Sequence, residues 1–305
     1  MDGAALLCCA EGTAQRRRTR PDRAFASDPR VLENLLRSEE NVLPNPNYLE
    51  IVQRGEMNED TRRLLVDWMM QVQICDECKS EDILLPLSVN LLDRVLSQQY
   101  IERKYLQLTA AACLFLASKL AQTCPLSIER LCYQSDGAFT PQQLTKMELI
   151  VLERLKWDVG IITPLDFLDL IFHRLPVTAD QLLVIRKHAT TLVTLTCFEY
   201  RFIMHPPSTI AAAAVCAAVD GMKMSMMDRL DPVDVIHELT HIDKDFIVAC
   251  RNQIEEALRR QLSSIGSSSG GSGSGSGTSR ISRGDENKEN NLPDTDTPTY
   301  ALQTF

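Results

Sequence analysis

The sequence predicts an all-α fold: two tandem five-helix repeats, preceded by one helix and flanked by disordered tails. Apolar residues recur at helical spacing across residues 28–262, and no segment shows the two-residue alternation of a half-buried strand. Two alanine-rich runs, at 106–119 and 210–219, are apolar on every side, which is typical of a helix at the centre of a core. They lie about a hundred positions apart, which indicates repetition at the scale of a domain.

The predicted elements follow in chain order. Residues 1–27 are polar and irregular, and residues 28–56 hold a helix that Asp28 caps and Pro29 begins, followed by a connection. The first repeat spans residues 57–160, with apolar stripes at 64–72, 84–96, 106–119, 128–132 and 141–155. The second repeat spans residues 161–262, with helices at 165–175, 179–198, 210–219, 233–239 and 246–262. Residues 263–305 form a polar tail that contains a Ser/Gly run, and we expect it to be disordered.

Composition excludes several classes of protein. The net charge of −9 argues against a general nucleic-acid binder, since phosphate contacts need clustered Lys and Arg. The apolar runs are shorter than the roughly 20 residues that span a bilayer, and the first residues lack the basic region of a secretory signal. We therefore expect a reducing compartment, with no direct contact to nucleic acid or membrane. Five of the ten cysteines lie in apolar segments, where a thiol acts as a small hydrophobe.

Catalytic and metal-binding patterns are few. Cys75 and Cys78 form a lone C-x-x-C without the second ligand pair that a structural zinc site needs. His237 and His241 are four residues apart with Glu238 between them, which is the H-E-x-x-H spacing, and we interpret the two histidines as a solvated or capping pair. We therefore expect no metal, no cofactor and no enzymatic activity, and a tandem helical repeat without an active site indicates a binding protein.

Motifs in chain order make the sequence resemble the D-type cyclins. The first repeat carries TRRLLVDW at 61–68, NLLDRVL at 90–96, LFLASK at 114–119 and MELIVL at 147–152. The resemblance continues with LKWD at 155–158, TPLDF at 163–167, IRKHA at 185–189, PPS at 206–208 and ACRNQIE at 249–255. It covers about residues 28–262 and implies two cyclin boxes. It also implies a regulatory subunit that binds the small lobe of a D-cyclin-dependent type of cyclin-dependent kinase and activates it, promoting the G1/S transition.

The resemblance also implies the surfaces that would do this. Lys119 and Glu148 match the cyclin residues that bond kinase backbone, with Leu120 and Leu152 as the adjacent apolar contacts. A substrate- and inhibitor-docking patch is predicted at Thr61, Leu64, Leu65, Trp68 and Gln71. Without the resemblance, we would interpret Lys119 as a cation that the helix dipole stabilises near a helix C-terminus. The apolar residues of the predicted docking patch would then belong to the core.

Motifs in both tails extend the list of partners. Leu7, Cys9 and Glu11 spell the L-x-C-x-E motif with which D-type cyclins dock on retinoblastoma-family pocket proteins. Thr297 precedes a proline and resembles the phosphorylation site that triggers export and degradation, and Lys288, Glu289 and Asn290 spell a KEN-type degron. The resemblance therefore implies kinase inhibitor proteins and a ubiquitin ligase as further partners, and localisation to nucleus and cytoplasm. The alternatives are a cyclin-fold scaffold or transcription factor that binds pocket proteins or DNA without activating a kinase.

Overall fold

The computed structural model describes residues 27–74, 81–222 and 231–268, with side chains described through residue 263. Two helices come first, α1 (Pro29–Glu39) and the short α2 (Tyr48–Ile51). The first repeat contains α3 (Glu59–Ile74), α4 (Leu84–Gln98), α5 (Leu106–Ala121), α6 (Ile128–Gln134) and α7 (Pro141–Arg154). The second contains α8 (Pro164–Arg174), α9 (Ala179–Phe198), α10 (Pro207–Gly221), α11 (Pro232–Thr240) and α12 (Lys244–Ser268). These ranges contain no strand, so the predicted all-α fold with two five-helix repeats is confirmed.

Most helices begin where the sequence places a capping residue. Asp28 accepts a hydrogen bond from the backbone of Arg30 at the start of α1. Thr140 and Thr178 each form a capping box with the glutamine three residues on, at the starts of α7 and α9. Helix α12 continues to Ser268, beyond its expected end at Leu262, and includes Gly266.

Each repeat is built around its alanine-rich helix. In α5 all residues from Leu108 to Ser118 are buried, and in α10 all residues from Pro207 to Cys216 are buried. Small side chains let the surrounding helices approach the central helix closely, so each repeat has its own apolar core. Helix α1 packs its Leu32 into the core of the second repeat, although it precedes the first repeat in sequence.

A buried polar network joins the two repeats. The guanidinium of Arg62 in α3 donates to both carboxylate oxygens of Asp93 in α4, at 2.8 and 2.7 Å. It also donates to the carbonyl of Cys197 at the end of α9, and the hydroxyl of Tyr48 donates to Asp93 at 2.9 Å. Although burial alone would lower the pKa of Arg62, the carboxylate of Asp93 raises it above its usual value. The network therefore holds a charged pair at the junction of α2, α3, α4 and α9.

Candidate functional site

The structure brings Lys119 and Glu148 together from two neighbouring helices. Lys119 lies in the last turn of α5, and its Nζ donates to Oε1 of Glu148 in α7 at 2.6 Å. The lysine side chain is 40% exposed and the glutamate side chain 11% exposed, so the pair lies where the core meets the surface. The ammonium also lies 4.0 Å from the centre of the Phe115 ring, which adds a cation–π contact.

This ion pair contributes little to the stability of the fold. A pair with an exposed lysine typically contributes about 0–1 kcal/mol, because water solvates its charges and two long side chains lose rotamer freedom. The amine keeps further donors and the carboxylate further acceptor positions. The pair is therefore a preorganised donor and acceptor that a partner's backbone amide and carbonyl could use.

Apolar side chains flank the pair on both helices. Leu120 is exposed beside Lys119, as the predicted contact requires. Leu152 is instead buried within the first core, and the outward-facing leucine of α7 is Leu149. Three residues turn a helix by about 300°, so Leu149 and Leu152 lie about 60° apart around α7, with Leu149 at the exposed edge of the apolar stripe and Leu152 within it. Leu152 thus supports this face from within, and Leu149 is a surface residue that the sequence motif did not single out.

Trp157 lies in the turn that follows α7, and sequence reasoning did not single it out as a site residue. Its backbone N–H donates to the carbonyl of Leu152 at 2.9 Å, yet its side chain is 67% exposed. Lys156 and Trp157 have consecutive left-handed backbones, with φ of 54° and 61°. Such conformations are uncommon for side chains of this size, and they turn the indole outward. Together, Lys119, Glu148, Leu120, Leu149 and Trp157 define the α5–α7 face.

The predicted docking patch occupies one side of α3. Leu64 and Gln71 are half-buried and reachable, whereas Leu65 is fully buried in the first core. Thr61 and Trp68 are also buried, and the indole N–H of Trp68 donates to the carbonyl of Gln134 at 3.3 Å. Leu65 therefore cannot contact a docked peptide, and it packs in the core behind the patch.

An acidic residue lies beside this patch. Gln71 donates through Nε2 to Oδ2 of Asp67, one turn earlier on α3, at 2.8 Å. Asp67 is exposed, so its other carboxylate oxygen faces solvent. The patch thus combines an apolar surface with a carboxylate that could pair with an arginine.

Comparisons with known proteins identify the family. The cyclin N-terminal domain family matches residues 30–160, and the cyclin C-terminal domain family matches residues 162–268. The chain belongs to the cyclin family. The predicted resemblance is therefore confirmed, and the repeats of this cyclin correspond to its two matched domains.

Similar proteins include G1/S-specific cyclins of the D type. Human G1/S-specific cyclin-D3 is 42% identical over 84% of this cyclin and 87% of its own length. Xenopus laevis G1/S-specific cyclin-D2 is 41% identical over 83% and 87%, respectively. Among solved structures, a viral cyclin from herpesvirus saimiri aligns with a TM-score of 0.66 and 25% identity, over 75% of this cyclin and 96% of that chain. The CAK complex from Chaetomium thermophilum bound to ATP-gamma-S contains a chain that aligns with a TM-score of 0.51 and 15% identity, over 80% and 78%, which shows the fold alone.

Several cysteines and histidines in the described parts of this cyclin are buried or hydrogen-bonded within the fold. Burial raises the pKa of the Cys197, Cys216 and Cys250 thiols to about 12, so each stays protonated near neutral pH. His237 bonds through Nδ1 to the carbonyl of Ile242 at 2.7 Å, and His241 ends α11 in a left-handed conformation. The described residues contain no cluster of three metal-ligating side chains and no helix long and apolar enough to cross a membrane.

Several predicted motifs lie outside the described residues. These are Leu7, Cys9 and Glu11, Cys75 and Cys78, Lys288, Glu289 and Asn290, and Thr297. Their roles stay predictions from sequence.

Proposed function

We propose that this cyclin is a D-type regulatory subunit that binds and activates a cyclin-dependent kinase at the G1/S transition. The single observation that carries the proposal is the Lys119–Glu148 pair, in which a surface lysine meets a largely buried glutamate beside exposed apolar residues on the first cyclin domain. The similarity to D-type G1/S cyclins supports the choice of subtype and of a kinase that D-type cyclins regulate.

The chemistry of the α5–α7 face suits the backbone of a kinase. Lys119 donates to carbonyl groups and Glu148 accepts from N–H groups, so together they can hold one exposed turn of the kinase small lobe. Leu120, Leu149 and Trp157 supply apolar area around those polar contacts, an arrangement typical of interface hot spots. This cyclin activates its kinase because the face fits the inward position of helix αC, in which the kinase's Lys–Glu ion pair forms.

Reconstitution tests the proposal directly. The purified chain is mixed with a purified D-cyclin-dependent kinase, and both complex formation and phosphorylation of a retinoblastoma-protein fragment are measured. Binding together with activation is expected. Binding to pocket proteins without kinase activation would instead support the scaffold alternative, and a salt-dependent shift of duplex DNA would support a transcription factor.

The docking patch on α3 binds substrates and inhibitors that carry an R-x-L sequence, with Asp67 in the role of the acidic partner. Asp67→Asn removes the charge but keeps the size of the side chain. We expect it to lower the affinity for an R-x-L peptide by about tenfold, because a charged contact with the peptide arginine is lost. Fluorescence anisotropy with a labelled peptide measures this. Asp60→Asn, an exposed change at the start of the same helix, is the matched control. Equal peptide affinities in the two variants would rule out this role for Asp67.

The motif at Leu7, Cys9 and Glu11 directs the kinase to retinoblastoma-family proteins. We expect Cys9→Gly to abolish capture of the pocket domain in a pull-down from purified components. Kinase activity toward a short substrate peptide, which has no pocket domain to capture, should stay at the wild-type level, since the motif lies outside both cyclin domains. Cys8→Gly is the matched control, because the neighbouring cysteine lies outside the motif. Undiminished capture by the Cys9 variant would contradict this role.

The tail motifs control the lifetime and location of the protein. Phosphorylation at Thr297 promotes export from the nucleus and recognition by a ubiquitin ligase, with Lys288, Glu289 and Asn290 as a second degradation signal. The chain accordingly occupies both nucleus and cytoplasm, and kinase inhibitor proteins bind the assembled complex.

A further inference from the structure

The exposed Trp157 is held by an anchor inside the first repeat. The next residue, Asp158, accepts a hydrogen bond at Oδ2 from Nη2 of Arg94, at 3.1 Å. The Arg94 side chain in α4 is only 7% exposed, whereas that of Asp158 is 59% exposed. The pair therefore ties a surface turn to a side chain fixed within the core.

Among the ion pairs of the described residues in which the carboxylate is exposed, this pair has the most buried cation. The second terminal nitrogen of Arg94, Nη1, is buried and has no hydrogen-bond partner within the described part of the chain. Asp158 is thus the carboxylate partner of a largely desolvated cation, and burying a cation is costly unless it is paired. The cost of leaving Arg94 unpaired keeps Asp158 in place, and Asp158 in turn fixes the backbone on the C-terminal side of Trp157.

The turn that carries Trp157 needs such a fixed point. Two consecutive left-handed residues without glycine are each disfavoured by about 1–2 kcal/mol. Backbone bonds hold the turn from its helix side, from Lys156 to the carbonyl of Glu153 and from Trp157 to that of Leu152. From its far side, Asp158 bonds through its N–H to Leu155 and through its carboxylate to Arg94.

We infer that Arg94 and Asp158 are positioning residues for kinase binding, which they support by holding the Trp157 indole outward on the α5–α7 face. The inference rests on the proposed function. Asp158 acts through Trp157 and not by contacting the kinase, so its effect on affinity exists only while the indole is present.

A double-mutant cycle tests this. Trp157→Ala should weaken binding of the purified kinase by about tenfold or more, as for an aromatic anchor. Asp158→Ala should lower the affinity for the kinase by about fivefold in the wild-type background. In the Trp157→Ala background the same substitution should not lower the affinity any further. Asp158→Asn keeps an acceptor oxygen and should recover part of the loss. Asp234→Ala removes a comparably exposed partner of Lys244 in the second repeat, and it should leave affinity unchanged.

A second measurement needs no kinase. The chain contains two tryptophans, Trp68 and Trp157, so 5-fluorotryptophan gives two ¹⁹F resonances that Trp157→Phe assigns. Asp158→Ala should shift or broaden the Trp157 resonance and leave that of Trp68 unchanged. General destabilisation would instead alter both resonances.

The outcomes separate the two proposals. A wild-type chain that binds no kinase would refute the proposed function, and the fluorine spectrum would still report whether Asp158 orders Trp157. Full affinity in Trp157→Ala would remove the indole from the interface and overturn the positioning role. An undiminished effect of Asp158→Ala in the Trp157→Ala background, or an unchanged Trp157 resonance, would also overturn it.

Discussion

Lys119→Glu is expected to abolish kinase activation while leaving the fold intact. The substitution replaces the donor of the α5–α7 face with a carboxylate that repels both Glu148 and the carbonyl groups of the kinase. A loss of at least ~30-fold in affinity is expected, since truncating hot-spot residues costs about 2 kcal/mol or more. The free energy of unfolding should fall by no more than about 1 kcal/mol, because the lysine of the native pair is 40% exposed to water. Calorimetric titration with the kinase, a kinase assay and urea unfolding measure these quantities.

Lys104→Glu provides a closely matched control. Lys104 pairs with Glu102 at 2.8 Å and lies 4.8 Å from the ring centre of Tyr105, so it has the same kinds of contact as Lys119 at an exposed site just before α5. This variant should bind and activate normally. A charge exchange, Lys119→Glu with Glu148→Lys, keeps an ion pair but reverses donor and acceptor, so it should restore stability without activation. Normal activation by Lys119→Glu would show that the α5–α7 face is not the kinase interface.

Asp93→Ala is expected to cause the largest loss of stability of any change proposed for this chain. It leaves the fully buried guanidinium of Arg62 without its carboxylate and also removes the acceptor of the Tyr48 hydroxyl. Breaking a buried pair by removing one partner typically costs 3–5 kcal/mol, which is about a third or more of the stability of an ordinary domain. The urea midpoint of the purified chain measures the loss.

Two comparisons identify the mechanism of this loss. Asp234→Ala breaks an exposed pair and should lower the free energy of unfolding by at most about 1 kcal/mol. The double variant Arg62→Met with Asp93→Leu replaces both charges with apolar side chains and should be more stable than Asp93→Ala alone. Equal urea midpoints for Asp93→Ala and Asp234→Ala would contradict the account, because the cost is attributed to a buried, unpaired cation.

Local signals in the sequence predicted the elements of the fold well. Alanine-rich apolar runs identified the central helices α5 and α10, since only a helix buried on all sides needs such composition. Capping residues such as Asp28 located helix starts, because their side chains bond backbone groups only a few positions away. The order of motifs identified the cyclin family, and the comparisons confirmed it.

Contacts between distant residues were not accessible in this way. Helical periodicity could not tell that Leu152 points into the core while Leu149 points outward, because both belong to a broad apolar stripe. Nor did it indicate that Trp157 is exposed, since the side chain belongs to the second of two consecutive left-handed residues in the turn after α7. Asp67 escaped notice because its relation to the docking patch is a side-chain bond to Gln71.

The sequence by itself determined the helical class, the repeat, the family and the residue types available for binding. The helical class depends on composition and spacing over one or two helical turns, and the repeat and the family depend on the order of such segments along the chain. Only the tertiary structure decided that Lys119 and Glu148 meet at 2.6 Å, and that Arg62 joins α3 to both Asp93 and the end of α9. Such contacts depend on how whole helices pack, and packing sums many small interactions over the chain that no local pattern encodes.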